Sequence, residues 1–264
     1  MALNAWQKIS RVIPGKPFGD GSDGAYSSAT IPTMTKQSCS GAAAQKNLAI
    51  AGAAFSNNDV ILITQMRGTG VGQWEINKIV SGGGTTTLVM QQNLHYTYTD
   101  SGNSQAQVTK IPQYTDVTVQ AGTWTLTDWA GNVGGILTFA CNGTLTPTGT
   151  ISLNAKGFRG GAGTASGDEV IAYQGEGTVA ASARSISANG NGGGGAKKDG
   201  LTGPAACGGS NGSQGTNGTG GATGRGATAG NANLTNIVFG GAGGGARQWE
   251  SGSAGSGEMV LVWL

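Results

Sequence analysis

Glycine recurs at every third position between residues 200 and 230. When every third residue is read from Gly200, nine of the eleven positions are Gly and the other two are Ala. Three residues per turn is the geometry of an extended left-handed helix that makes no internal hydrogen bonds. If such a helix is buried, its N–H and C=O groups need partners from neighbouring backbones. Only a contact face without side chains lets those backbones come close, so the period predicts helices that pack against one another.

Shorter tracts with the same period lie on either side of this stretch, for example at 157–163 and 240–245, and their phase differs. Such shifts would interrupt the continuous repeat of glycine at every third position that a collagen triple helix requires. Collagen is also rich in proline, whereas Pro204 is the single proline between residues 157 and 257. We therefore expect residues 157–257 to form a bundle, or sandwich, of short polyglycine II helices joined by turns. The alternative is a disordered Gly/Ser linker, which does not require a strict period.

Charge and hydropathy narrow the classes of partner. The net charge is +2 and 11% of the residues are charged, so no long-range field recruits nucleic acid. No apolar stretch approaches the roughly 18 residues of a membrane span, and the N-terminus lacks the apolar core of a signal peptide. We expect no nucleic-acid partner, no membrane insertion and synthesis in the cytoplasm without a signal peptide. Cys39, Cys141 and Cys207 are expected to be free thiols, because they are odd in number and far apart.

Residues 1–150 are expected to form a mostly β domain that begins with a short helix. Apolar residues between Leu3 and Ile13 recur at steps of three and four, which predicts an amphipathic helix that ends at Pro14-Gly15. That helix must dock on its own domain or on another protein. Residues 14–35 look irregular, and residues 38–56 fit either a helix or a small-residue strand.

From Asp59 onwards, runs rich in β-branched residues alternate with Gly-containing breaks, which is typical of strands. The expected strands are 60–66, 74–80, 85–90, 107–111, 116–120, 123–127, 136–140 and 150–153. We expect them to form a small sheet or a short solenoid-like stack. Composition changes near residues 150–157, and the chain ends in an apolar stretch, Met259–Leu264. Residues 151–264 are therefore expected to be a glycine-rich domain closed by a C-terminal strand.

Few residues could carry catalysis. His95 is the single histidine and has no cysteine or paired carboxylate near it in the sequence, and Asp168-Glu169 lie in a Gly/Ser-rich turn. The glycine tracts lack the Lys-Ser/Thr and the following helix of a phosphate-binding loop. We expect no enzyme activity, no cofactor and no metal. Because packing excludes side chains from the glycine tracts, recognition must reside on the connectors between them.

The whole chain resembles the tip adhesins of the long tail fibres of T-even-type bacteriophages. The resemblance is carried by glycine-rich motifs that alternate with connectors from Gly157–Gly163 onwards, by the N-terminus around Trp6, and by residues 115–120 and 150–153. It implies a virion protein at the tip of the fibre. Its N-terminal domain would clasp the end of the trimeric long tail fibre shaft protein. Its connectors would bind an outer-membrane protein, commonly a porin, of a Gram-negative host.

Within that resemblance, the connectors supply the candidate receptor contacts, because Trp, Tyr and Arg dominate binding hot spots. The receptor-binding candidates are Val170, Ile171, Tyr173, Lys197, Lys198, Arg247, Gln248 and Trp249. For Tyr173 and Trp249 the alternative is a role in the core. The fibre-attachment candidates are the apolar stripe of the N-terminal helix and two further aromatic residues, namely Trp6, Ile9, Val12, Ile13, Phe18 and Trp74. If neighbouring helices run antiparallel, alternate connectors lie at opposite ends, and some of these candidates face the fibre.

Three other functions stay open from the sequence. A fibre-assembly chaperone would be absent from finished particles. A tip that binds lipopolysaccharide would use aromatic platforms and would be inhibited by sugars. A silk-like or collagen-like structural protein would have longer, uniform repeats and would trimerise through its glycine region.

Overall fold

A computed structural model describes residues 19–163, 172–190, 226, 236–244 and 261–263. The described residues contain thirteen β-strands and no helix, so the expectation of a mainly β chain is confirmed. The predicted N-terminal helix lies outside them. The strands are β1 Gly24–Ser28, β2 Lys36–Ser40, β3 Asn47–Ile50, β4 Val60–Arg67, β5 Trp74–Ser81, β6 Thr87–Met90, β7 Gln105–Lys110, β8 Gln113–Val119, β9 Thr123–Trp124, β10 Leu137–Cys141, β11 Leu145–Pro147, β12 Thr150–Ile151 and β13 Leu261–Trp263.

Six of these strands close into an antiparallel barrel in the order β2-β3-β6-β5-β4-β7. Its interior is an apolar core that includes Leu48, Ile61, Ile63 and Val108. Strand β4 is apolar on both faces, because Leu62 and Met66 point away from that interior into a separate core. This explains why β4 reads as a continuous apolar run rather than an alternating one. Closure removes the free edges that an open sheet would expose.

Polar side chains of β4 and β5 tie the segment 92–99 to the barrel. The Gln65 side chain donates to the Thr99 carbonyl (3.0 Å) and accepts from the Thr99 N–H (2.9 Å). The Asn77 amide donates to the Gln92 carbonyl (3.1 Å), and Glu75 Oε2 accepts from the His95 N–H (2.6 Å). These buried side chains therefore satisfy backbone groups of the segment 92–99 that are left over from its bonds to residues 41–45, such as the bridge between Tyr98 and Gly41.

The remaining strands form a parallel stack beside the barrel. Strand β8 pairs in parallel with β1 on one edge and with β10 and β11 on the other, and β9 pairs with β12. Gln113 lies opposite Ala140 and Thr123 lies opposite Thr150, so the chain returns to the same position after 27 residues. This repeat is that of a short solenoid-like stack, one of the two arrangements expected. Its core contains Trp124, Phe139 and Val117.

The structure also corrects several local expectations. Residues 38–56, which fit either a helix or a strand, contain the end of β2 and all of β3. Strand β1 lies within residues 14–35, which looked irregular, and β11 was not expected at all. The closed barrel was not anticipated either. At the C-terminus, β13 lies within the predicted apolar strand and pairs in parallel with residues 137–139 of β10.

The separate core that contains Leu62 and Met66, called the third core below, joins the barrel, the stack and the glycine-rich region. Trp129, Phe158 and Phe239 pack edge to face, with ring centroids 5.3–6.2 Å apart. Leu62 from the barrel and Ile136 from the stack pack in the same cluster. Such aromatic contacts add to the area term of burial. The core contains residues from both sides of the composition change near residue 150, so the glycine-rich region is packed against the β units rather than tethered to them.

Candidate functional site

Two described segments of the glycine-rich region, 157–163 and 172–178, run antiparallel and bond through their backbones. The Tyr173 N–H donates to the Ala162 carbonyl (3.0 Å), and the Glu176 N–H donates to the Arg159 carbonyl (2.9 Å). The bonded positions are three residues apart on both segments. In an antiparallel β ladder the bonded pairs would be two residues apart. The two segments are also not strands of any sheet in the described part of the chain.

A third segment, 236–244, lies against both of the others. The Gly161 N–H donates to the Gly243 carbonyl (2.9 Å), and the Ala242 N–H donates to the Glu176 carbonyl (3.4 Å). A Cβ atom on Gly175 would overlap the Ala242 carbonyl oxygen, so only glycine permits this approach. Residues 174–178 are all buried. A segment buried at consecutive positions is surrounded on several sides, and it depends on its neighbours for backbone partners.

The barrel marks one end of this group of segments. The Gly68 N–H, in the turn between β4 and β5, donates to the Thr178 carbonyl (2.8 Å), and the Ile237 N–H donates to the Gly72 carbonyl (2.9 Å). Segment 157–163 runs away from that end, 172–178 runs back towards it, and 236–244 runs away from it again. The chain therefore leaves the described part at Gly163, and again at Gly244, on the side opposite the barrel.

A buried carboxylate joins the barrel to the glycine-rich region. Glu176 is fully buried and accepts from the guanidinium of Arg67 at the end of β4, and its Oε2 accepts from Arg159 Nε at 3.0 Å. Arg67 is itself buried and also donates from Nε to the Asn103 carbonyl (3.0 Å). Burial lowers the pKa of Arg67, and the neighbouring Glu176 carboxylate opposes that shift. The pair fixes how the segment 172–178 sits on the barrel.

The connector 179–188 is held in one conformation by the side chain that follows it. Asn189 is buried, donates to the carbonyls of Gly175, Ala180 and Ala181, and accepts from the Ala180 N–H. Ser182 adds a bond to the Gln174 carbonyl at 2.6 Å. Both N–H groups of this amide and one acceptor position of its oxygen are therefore used, and the connector is fixed to the neighbouring segment.

The same connector exposes apolar side chains. Val179 is 57% exposed and Ile186 is 46% exposed, and the third exposed large aliphatic residue of the described part, Val80, lies on the barrel. Arg184 lies over the ring of Tyr173, with its guanidinium carbon 4.9 Å from the ring centroid. The backbones of these two residues also form an isolated bridge. Tyr173, a predicted receptor contact, thus joins the connector to the preceding segment.

The structure describes two of the predicted site residues. Tyr173 is partly buried beside Arg184, and Trp74 is 8% exposed within the third core. In the single chain Trp74 therefore stabilises the fold, and its predicted contact with the fibre stays a prediction. The other candidates lie outside the described residues, namely Trp6, Ile9, Val12, Ile13, Phe18, Val170, Ile171, Lys197, Lys198, Arg247, Gln248 and Trp249.

Sequence reasoning did not select the exposed pair Val179 and Ile186. The signal that was available is weak, because one isoleucine and one valine stand in a connector of otherwise small and polar residues. Asn189, which follows the connector, bonds its backbone at Ala180 and Ala181. That arrangement has no local sequence signature.

The described residues offer little reactive chemistry. They contain no group of three or more His, Cys, Asp and Glu side chains that could hold a metal ion. His95 is exposed and packs edge-on against Tyr96, with centroids 4.4 Å apart. Cys39 and Cys141 are buried free thiols, and burial raises the pKa of Cys39, which disfavours the reactive thiolate. No helix among these residues is long and apolar enough to span a membrane.

Neither a family model, nor a curated protein, nor a solved structure matches this chain.

Proposed function

We propose that this protein is the receptor-binding tip of a bacteriophage long tail fibre. In this proposal residues 1–150 attach to the distal end of a trimeric fibre shaft. Residues 151–264 form a bundle of polyglycine II helices whose connectors bind an outer-membrane protein, of the porin kind, on a Gram-negative host. The protein acts by adhesion and needs no cofactor.

The observation that carries the proposal is the spacing of the backbone bonds between residues 159–162 and 173–176. Their three-residue interval equals one turn of a polyglycine II helix. The overlap that any side chain on Gly175 would cause supports the same reading, because packed helices of this kind need bare contact faces. In a scaffold whose segments bond through their backbones, the fold depends less on the side chains of the connectors. Such connectors can vary in sequence without loss of the fold, as a protein that selects hosts requires.

The direction of the described segments supports a shared contact surface. Gly163 leads into the predicted contacts Val170 and Ile171, and Gly244 leads into Arg247, Gln248 and Trp249. Both segments end on the side opposite the barrel. We therefore propose that these two connectors act together on the receptor. We propose that the fibre binds on the barrel side and that the N-terminal stripe around Trp6 contributes to its attachment.

Adsorption to bacteria tests this function directly. Purified protein should bind cells of susceptible strains and should lose binding to mutants that lack one particular outer-membrane protein. Exchanging residues 164–171 and 245–250 together for those of a related protein should change the strains that are bound, while attachment to purified fibres stays intact.

Each alternative predicts a different outcome of the same assays. A protein absent from purified particles would be an assembly chaperone. Binding that is lost on truncation of surface sugars, but kept in strains without the outer-membrane protein, would identify a lipopolysaccharide-binding tip. Unchanged strain selectivity after the double exchange would refute the assignment of the connectors.

A further inference from the structure

We propose that Asn142 is a site of spontaneous deamidation, and that this modification loosens the parallel stack at the turn between β10 and β11. The inference comes from a comparison of Asn142-Gly143 with Asn189-Gly190, the two Asn-Gly pairs in the part of the chain that the structure describes. The dipeptide is the same in both places, so a difference in reactivity must come from its surroundings. The inference does not depend on the proposed function.

The reaction needs only the chain itself and water. After loss of its proton, the backbone nitrogen of Gly143 attacks Cγ of Asn142, so that a new C–N bond closes a succinimide ring and Nδ2 leaves as ammonia. Water then opens the ring at either of its carbonyls, which gives aspartate or isoaspartate. Glycine in the following position favours ring closure, because it has no Cβ to obstruct the attack and its backbone turns freely.

The groups that react at Asn142 are exposed and have no hydrogen-bond partner. Asn142 and Gly143 are both exposed. Within the described residues, neither the side-chain amide of Asn142 nor the N–H of Gly143 makes a hydrogen bond. The bonds that hold this turn involve other groups, because the Asn142 N–H donates to the Tyr114 carbonyl (3.1 Å) and Asp116 accepts from the Thr144 N–H (2.8 Å). The attacking nitrogen and the leaving amide are therefore both available.

The same groups are protected at Asn189. Its side chain is buried, and Nδ2, the leaving group of the reaction, donates to the carbonyls of Gly175, Ala180 and Ala181. Its Oδ1 accepts from the Ala180 N–H (3.1 Å). These bonds must open before the ring can close. We therefore expect Asn189 to react at least about tenfold more slowly in the folded protein than in the unfolded chain.

The products disturb the turn because it is bonded to β8 on both sides. The Asn142 N–H donates to the Tyr114 carbonyl, and the Thr144 carbonyl accepts from the Val117 N–H (2.9 Å). Isoaspartate adds a carbon to the backbone between these two bonds and so changes their spacing. Both products also place a new carboxylate at a turn where Asp116 already carries one, and like charges repel. The stack is therefore weakened where the chain passes from β10 to β11.

The test uses the full-length protein, incubated at mildly alkaline pH with and without guanidinium chloride. Tandem mass spectrometry of its peptides locates the mass gain at each asparagine. Asn142 should react in the native protein at a rate within about threefold of its rate in guanidinium, whereas Asn189 should be slowed at least about tenfold. The thermal midpoint of the incubated native protein should fall by about 2–4 °C, since one backbone bond to β8 is lost.

Asn142→Gln is the matched control, because it retains every other Asn-Gly pair of the chain and glutamine closes the larger ring far more slowly. Its thermal midpoint should not change on incubation. If Asn142 reacts only in guanidinium, or if Asn142 and Asn189 react equally fast in the native protein, the inference is wrong. An equal fall of the midpoint in incubated Asn142→Gln would place the damage elsewhere and overturn the proposed loosening of the stack. None of these outcomes affects the adsorption assays, so the proposed function is tested separately.

Discussion

Replacing Glu176 with Gln removes the shared counterion of two arginines where the glycine-rich region meets the barrel. Arg67 stays buried and keeps its bond to the Asn103 carbonyl, but it loses its carboxylate partner. Breaking one side of a buried ion pair costs about 3–5 kcal/mol, because the charge left behind is uncompensated. The Arg159 side chain is 51% exposed and can turn towards water, so its pairing adds less than about 1 kcal/mol. We expect the free energy of unfolding to fall by about 3–5 kcal/mol, nearly all of it from Arg67.

Urea unfolding followed by tryptophan fluorescence measures this loss, because Trp129 lies in the core at the same junction. Asp128→Asn is the matched control. It removes a carboxylate paired with Lys156 at 2.5 Å, but Asp128 is 71% exposed, so the expected cost is below about 0.5 kcal/mol. Replacing both Arg67 and Glu176 with Met removes both charges and should recover much of the loss. A Glu176→Gln protein within about 1 kcal/mol of the wild type would refute the view that this buried charge pair holds the junction.

Three further predictions concern the barrel, the glycine packing and the fibre. Burial raises the pKa of Glu75, so the folded state holds its proton more tightly than the unfolded chain, and its contribution to stability falls as pH rises from about 4 through the folded pKa. Urea midpoints from pH 4 to 7 should therefore decline less in Glu75→Gln than in the wild type, and equal slopes would contradict this. Gly175→Ala should destabilise the protein by about 2 kcal/mol or more, because the added Cβ overlaps the Ala242 carbonyl. Thermal unfolding measures this loss. Gly52→Ala is the control, because a Cβ at that position would make ordinary contacts only. Trp6→Ala should weaken attachment to purified fibres by about 2 kcal/mol if Trp6 is an interface anchor, and unchanged co-sedimentation would show that it is not.

Several strands could be predicted because their information is local. β4 and β5 are long runs of β-branched and apolar residues, and both were expected within one residue of their observed bounds. β1 was missed because Gly24–Ser28 offers only one large side chain, Tyr26, to the stack core. β11 was missed because it is short and ends in Pro147, a residue that usually argues against a strand.

The closed barrel could not have been predicted, because closure depends on a distant pairing. β2 bonds β7, with Gln37 opposite Val108, although some seventy residues separate them in the chain. No local pattern marks that partner. The same holds for Gln107, whose side chain donates to and accepts from the Gly134 backbone and so joins the barrel to the stack.

For the candidate site, too, one part could be predicted from local sequence and another part depends on tertiary contacts. The three-residue period of glycine is local, so it can be seen in the sequence alone, and it predicts contact faces without side chains. Which connectors share one end of the glycine-rich region is not local. That is decided by the antiparallel pairing of residues 159–162 with 173–176 and by the bond from Gly68 to Thr178. A repeat predicts the conformation of each segment, but the direction of a segment relative to its neighbours, and hence where its connector lies, follows only from tertiary contacts.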